Sequence, residues 1–174
     1  KIKEDNPDAI IVVAPSDHII LKEEEFINNI NTSMKIASEN NWLLTLGIKP
    51  SRPDTGYGYI QFTEEDGTVG ETVKKVKTFT EKPDHETALS FLNSGDFYWN
   101  SGIFIWNLKA IMNAFEEYLP DVNDLFKEGT DVYGTDQEKA FIETAYQVCT
   151  NNSIDYGVME KAPNVYVVLA DLGW

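Results

Sequence analysis

Four short polar stretches in this sequence carry residue types that could do chemistry, and each lies at the end or in the middle of an apolar run. Ser16-Asp17-His18 follows the β-branched run at residues 8–13 (DAIIVV). An aspartate at a strand end can hold Mg²⁺ through one oxygen while the ion keeps its waters and binds substrate phosphates; it can also cap a helix or close a turn. Thr55-Gly56-Tyr57-Gly58-Tyr59-Ile60 sets two glycines around a tyrosine at the entry to another apolar run. Glycine lets backbone approach a ligand closely, which makes Gly58 a candidate sugar contact; an ordinary glycine turn is the alternative. Glu81-Lys82-Pro83 pairs a carboxylate able to accept two sugar hydroxyls with an ammonium able to meet a phosphate, or else forms an exposed ion pair at a strand end. Asn100-Ser101-Gly102 interrupts an aromatic, apolar run. An amide between Trp99 and Ile103 needs a partner, and a sugar hydroxyl would serve; a β-bulge is the structural alternative.

Other chemistries are excluded by what the sequence lacks. Neither G-x-G-x-x-G nor G-x-x-x-x-G-K-[ST] occurs. The only histidines are His18 and His85, too few for a multi-histidine metal site, and the single cysteine, Cys149, allows neither an intrachain disulfide nor a cysteine-based zinc site. The 29 acidic residues outnumber the 14 Lys and Arg, a field that repels nucleic acid and anionic membranes. An anionic small substrate fits only if a divalent ion or local cations offset that repulsion. No apolar run is long enough to span a bilayer, and the charges at the start of the chain are in the wrong order for a signal peptide, so a cytoplasmic protein is expected.

The elements that must position these residues follow from periodicity. Residues 8–13 and 42–48 read as buried strands on either side of an amphipathic helix at 22–40, whose Phe26, Ile27, Ile30, Met34 and Ala37 recur at helical spacing. Strand, helix, strand is the order that makes parallel pairs by a right-handed crossover. Residues 58–63 and 72–80 read as a hairpin about a turn at Glu65, Asp66 and Gly67. A helix at 84–94 leads into a strand at 97–106 broken by Asn100-Ser101-Gly102; helices at 108–118, 122–127 and 137–147 and a strand at 164–169 complete the chain. With no repeat or linker, residues 1–174 read as one α/β domain, a mixed, mostly parallel sheet flanked by helices. In such sheets ligands bind at the carboxyl ends of strands.

In order and spacing, the four stretches, together with a fifth at residues 153–161, resemble the GDP-mannose pyrophosphorylases of the nucleotidyltransferase family. The matching strings are Ala14-Pro15-Ser16-Asp17-His18, Thr55-Gly56-Tyr57-Gly58-Tyr59-Ile60, Phe79-Thr80-Glu81-Lys82-Pro83, Trp99-Asn100-Ser101-Gly102-Ile103-Phe104 and residues 153–161 (SIDYGVMEK). The resemblance covers essentially the whole chain. It implies a Rossmann-like fold of the nucleotide-diphospho-sugar transferase kind, incomplete here, and transfer of GMP from GTP to mannose 1-phosphate with Mg²⁺. It also implies roles: Asp17 as metal ligand, Gly58 as backbone contact to the sugar, Glu81 as hydroxyl acceptor, Lys82 as phosphate partner, Asn100 as a further sugar contact, and Lys161 at the edge of the sugar-phosphate site. A homo-oligomer is left open, as are another sugar 1-phosphate or base and a non-catalytic sugar-nucleotide-binding module.

The family opens with a glycine-rich basic loop that this chain starts beyond, and it places a second metal aspartate just after a Gly-Trp, where this chain ends at Gly173-Trp174. Asp171 is not expected to be that aspartate. Without the loop and that ligand, the 174-residue chain is expected to form no GDP-mannose from GTP and mannose 1-phosphate in Mg²⁺. Chromatographic detection of the product with the purified chain would falsify this expectation.

Overall fold

Each predicted strand and helix has a counterpart in the computed structural model, which describes residues 1–63 and 72–173. The elements run α1 (Ile2–Asp5), β1 (Ile10–Val13), α2 (Glu23–Glu39), β2 (Leu43–Ile48), β3 (Tyr59–Thr63), β4 (Val73–Thr80) and α3 (His85–Ser94). They continue with β5 (Phe97–Asn107), α4 (Leu108–Tyr118), α5 (Pro120–Lys127), α6 (Glu138–Val148), a π-helical turn (Asp155–Met159) and β6 (Val165–Ala170). The short α1 and the π-helical turn were not foreseen. The turn expected at Glu65, Asp66 and Gly67 lies outside the described residues, as does Trp174.

Two of the described helices, α3 and α4, start at a side-chain cap. Asp84 accepts from the Thr87 N–H at 2.8 Å to start α3, and Gly95, at φ 82°, ends it in the left-handed conformation glycine adopts at low cost. Asn107 caps α4 by accepting from the Ala110 N–H at 2.7 Å. Its Nδ2 also donates to the Ala37 and Asn40 carbonyls at the end of α2, so one amide ties two helices together.

The sheet order is β1-β5-β2-β6-β4-β3, with a further pairing of β3 to β5. It is mixed, as expected, but the expectation of mostly parallel pairing needs correction. Among the described residues only β2 and β6 pair in parallel; β5 pairs antiparallel with β1, β2 and β3, and β4 pairs antiparallel with β6 and β3. The reason is where the reversed strands insert. β1 and β2 share a direction, as the strand-helix-strand pattern implies, but β5 lies between them and runs the other way. Among the described residues β1 pairs with β5 alone, and it is less buried than its apolar run suggests, with Val12 and Val13 exposed.

Side-chain alternation sends the two faces of the sheet into two cores. Leu44, Leu46, Ile48, Trp99, Ile103 and Ile105 pack with Ile36 and Ala37 of α2 and Ala88 of α3. Leu43, Phe104, Trp106, Val165 and Val167 pack with Ala110, Ile111 and Ala114 of α4 and with Val158 and Met159 of the π-helical turn. Helices therefore cover both faces, and the π-helical turn sits on the α4 side.

Gly47 lies in the central strand, opposite Asn100 on β5 and Leu169 on β6. A Cβ there would stand 2.5 Å from Val167 Cγ2 and 3.2 Å from Tyr98 Cβ. Valine is stiff about χ1 and cannot swing clear, so Gly47→Ala should overpack the sheet and destabilise the fold by about 1–3 kcal/mol, read as a lower urea midpoint.

Candidate functional site

Four of the sequence-predicted residues meet at one place on the α4 side of the sheet. Gly58 leads into β3, Glu81 and Lys82 leave β4, and Asn100 lies within β5; β3 is bonded to both β4 and β5. The Asn100 backbone N–H donates to the Gly58 carbonyl at 2.8 Å. Gly58 is buried, and the space a side chain would occupy is taken by the Glu81 carboxylate, whose Oε2 would lie 2.7 Å from a Cβ. The group that fills the space beside this glycine is thus a predicted sugar ligand.

Lys82 Nζ donates to Glu81 Oε1 at 2.5 Å. The two partners differ in exposure: the Glu81 side chain is 12% exposed and that of Lys82 61%. Lys82 is the one described non-glycine residue with positive φ, at 39°. A β-carbon is disfavoured there, and such strain persists only where the surroundings impose it, most often at functional sites. Its ammonium is held above the usual lysine range, first by the hydrogen bond and charge of Glu81, with Tyr156 and Asp155 adding to the effect.

Asn100 is engaged on both sides of its amide. Its Nδ2 donates to Asp155 Oδ1 at 3.0 Å, while its Oδ1 accepts from the Gly102 N–H at 3.2 Å and the Thr45 hydroxyl at 3.0 Å. The predicted break at Asn100-Ser101-Gly102 is a bulge within one continuous strand. Ser101, Gly102 and Ile103 lie between the residues paired to Gly47 and Thr45, against Leu46 alone on β2, and Gly102 takes φ 70°.

Asp155 was missed by reasoning from sequence. Burial raises the pKa of its carboxyl, and the nearby charge of Glu81 raises it further, while the Asn100 bond and Lys82 oppose the shift. Glu160 is raised in the same order, by burial and then by Glu81 and Asp155, with Lys161 opposing. A carboxylate among the apolar Ile154, Val158 and Met159 was the available signal. The quoted string at 153–161 contained it, but only Lys161 was singled out there.

Asp17 and Lys161 stand at the margin. Lys161 is exposed beyond the π-helical turn, and its charge reaches the cluster through Glu160. Asp17 is exposed in the turn after β1, and that turn approaches β5 at Gly102, where a Cβ would lie 3.5 Å from Pro15 Cγ. Among the described residues no three His, Cys, Asp or Glu side chains gather as a metal cage. A single strand-end carboxylate nonetheless fits Mg²⁺, which keeps waters and takes its remaining ligands from phosphates. A cavity of about 1370 Å³, lined by Met112, Phe115, Val122, Phe126, Tyr133 and Tyr146 among others, includes none of these residues. That volume marks an apolar groove between helices; the convergent polar groups mark the site.

Strand-end polar residues over a mixed sheet covered by helices define an α/β protein with a candidate ligand site, and comparison with known proteins places it more closely. The sequence pattern of the nucleotidyl transferase family matches residues 1–146, and the chain belongs to that family. It is 35% identical over 177 aligned residues to an Escherichia coli protein named mannose-1-phosphate guanylyltransferase, covering 100% of this chain and 38% of that protein. It is 39% identical to a Sinorhizobium fredii protein of the same name, covering 96% of this chain and 32% of the relative. The chain thus spans about a third of the length of the curated relatives it matches. A crystal structure from Thermus thermophilus, described as a mannose-1-phosphate geranyltransferase, superposes with a TM-score of 0.80 at 29% identity, covering 97% of this chain and 47% of that one. Among the described residues no helix is long and apolar enough to cross a membrane.

The raised carboxyl of Asp155 has a signed consequence for stability. A folded-state pKa above the unfolded value means that ionising the group costs stability, fully above the folded pKa and not at all below the unfolded one. Asp155→Asn keeps an acceptor for Asn100 and removes that cost. The variant should therefore melt higher than the parent at neutral pH, and the gap should close as pH falls into the ordinary carboxylate range. Thermal melts of both proteins across that range test it, and a gap independent of pH would refute it.

Proposed function

We propose that the protein carrying this chain is a mannose-1-phosphate guanylyltransferase, transferring GMP from GTP to mannose 1-phosphate with release of pyrophosphate. The observation that carries this reading is the convergence of Gly58, Glu81, Lys82 and Asn100 from three strands, in a chain 35% and 39% identical along nearly its whole length to proteins of that name. On this reading the substrates are GTP and mannose 1-phosphate, and the protein works in the cytoplasm.

The reaction needs no covalent intermediate and no general base. A phosphate oxygen of the sugar phosphate attacks the α-phosphorus of GTP in line; the new P–O bond forms as the bond to the β-phosphate breaks, and pyrophosphate leaves. Rate then comes from positioning and from neutralising charge. Gly58 and Asn100 hold the sugar through backbone and amide, Glu81 accepts its hydroxyls, and Lys82 and Lys161 meet its phosphate. Bound Mg²⁺ would neutralise phosphate charge, and among these residues Asp17 would hold it.

Pyrophosphate release by the full-length protein across a panel of nucleoside triphosphates and sugar 1-phosphates tests the reading; preference for any other pair would overturn it. In that assay Glu81→Gln and Lys82→Ala should each lower catalytic efficiency with mannose 1-phosphate by roughly ten- to a hundredfold. That is the effect of losing a charged hydrogen-bonding partner worth about 1.5–3 kcal/mol. GTP binding should barely change. Losses under about twofold would leave the pair an exposed decoration of a strand end, and equal damage to GTP binding would assign it to the other substrate.

A further inference from the structure

The Asn100 amide has only one orientation that its neighbours tolerate. The Gly102 N–H can only donate, and it faces Oδ1; the Asp155 carboxylate can only accept while ionised, and it faces Nδ2. Turning the amide over would set N–H against N–H and oxygen against carboxylate, so the orientation follows from chemistry rather than from atom labels. The Thr45 hydroxyl can support it too, although its one proton is shared between Asn100 Oδ1 at 3.0 Å and the Ile103 carbonyl at 3.1 Å. One N–H of the amide is left over, so toward a ligand Asn100 is a donor.

Asp155 reaches this position from an unusual piece of backbone. The Glu160 N–H donates to the Asp155 carbonyl at 2.9 Å, the wide spacing of a π-helix, which occurs mostly as single turns and often at functional sites. The turn is anchored by Val158 and Met159, both buried, and by Gly157, where a Cβ would lie 2.8 Å from Leu119 Cδ1. The carboxylate is thus held rigidly beside Glu81, at a cost that an uncharged residue would avoid.

We propose that Asp155 is a positioning residue: it fixes the Asn100 amide so that its second N–H is presented as a donor to an oxygen of the sugar 1-phosphate. The role rests on the reading of the site as a sugar-phosphate site. It is a role through Asn100, not one of direct contact. Other charged or titratable groups facing Asp155 are Glu81, Lys82 and Glu160, and none of them hydrogen-bonds to the Asn100 amide.

Steady-state kinetics on the full-length protein with GTP and mannose 1-phosphate test the proposal. Asp155→Ala should raise KM for the sugar phosphate about tenfold with KM for GTP nearly unchanged, the size expected for losing one well-oriented hydrogen bond in a desolvated site. Asp155→Asn, which keeps the acceptor oxygen, should rescue most of that loss. An unchanged KM in Asp155→Ala overturns the proposal, as does Asp155→Asn matching the alanine variant, because charge rather than orientation would then matter. Should Asp155→Ala fail to fold, NMR of the Asn100 side-chain amide in the wild-type protein decides. One Nδ2 proton should exchange slowly before any sugar phosphate is added, and the other should shift on addition of mannose 1-phosphate. Two fast-exchanging, equivalent protons overturn the proposal. If no sugar 1-phosphate is turned over but one proton is still protected, the proposed function has failed while the Asp155–Asn100 coupling stands.

Discussion

Strand β5 hydrogen-bonds to β1, β2 and β3, and it does so while carrying a bulge against β2. Between the residues paired to Gly47 and Thr45 it holds three residues, Ser101 to Ile103, where β2 holds only Leu46. The surplus is two, and that number matters. One extra residue would turn every later side chain to the opposite face; two restore the alternation. Trp99 before the bulge and Ile103 and Ile105 after it stay in the same core, and Phe104 and Trp106 stay in the other. The strand can thus depart from regular pairing at Asn100 without disturbing the packing on either side. Asn100 sits where that departure begins, so its polar side chain is accommodated without turning the flanking core residues to the wrong face.

Much of this was legible in the sequence because the relevant signals are local. Period-two and helical patterns located the elements, and glycine, Glu-Lys-Pro and Asn-Ser-Gly marked strand ends and the bulge. What could not be read is what depends on pairing. Whether β1 and β2 are neighbours or are separated by β5 is decided by a strand some fifty residues further on, so the expected parallel pairing became antiparallel. The same limit hid Thr45 and Asp155. A threonine inside an apolar strand is unremarkable until Asn100 is found beside it. Asp155 stands among apolar residues, but which way it faces is decided only by the π-helical turn and by the strand it packs against.

The local balance of charge is also set by tertiary structure. Burial first, and then the neighbouring charge of Glu81, makes Asp155 and Glu160 ionise less readily than usual, and Lys82 is held protonated by Glu81. Two cations, Lys82 and Lys161, stand against three acids. The whole chain shows the same excess, with a formal charge of −15. Taken as a uniform field this would repel a phosphate, so the proposed sugar-phosphate ligand depends on how the charges are distributed within the site.

The carboxylates of Glu81 and Asp155 lie in the half-buried part of the cluster, beneath Gly58 and against β5, whereas Lys82 is mostly exposed on its strained turn and Lys161 is exposed at the rim. Buried acceptors suit neutral hydroxyls, which can donate to them without bringing in charge of the same sign; exposed ammonium groups suit an anion that stays partly in water. A ligand with hydroxyls at one end and a phosphate at the other meets this arrangement in only one sense, with its ring inward and its phosphate at the mouth. On the proposed function, the depth at which the charges sit would set the ligand's orientation and leave its phosphate at the edge of the site, open to a second substrate in line.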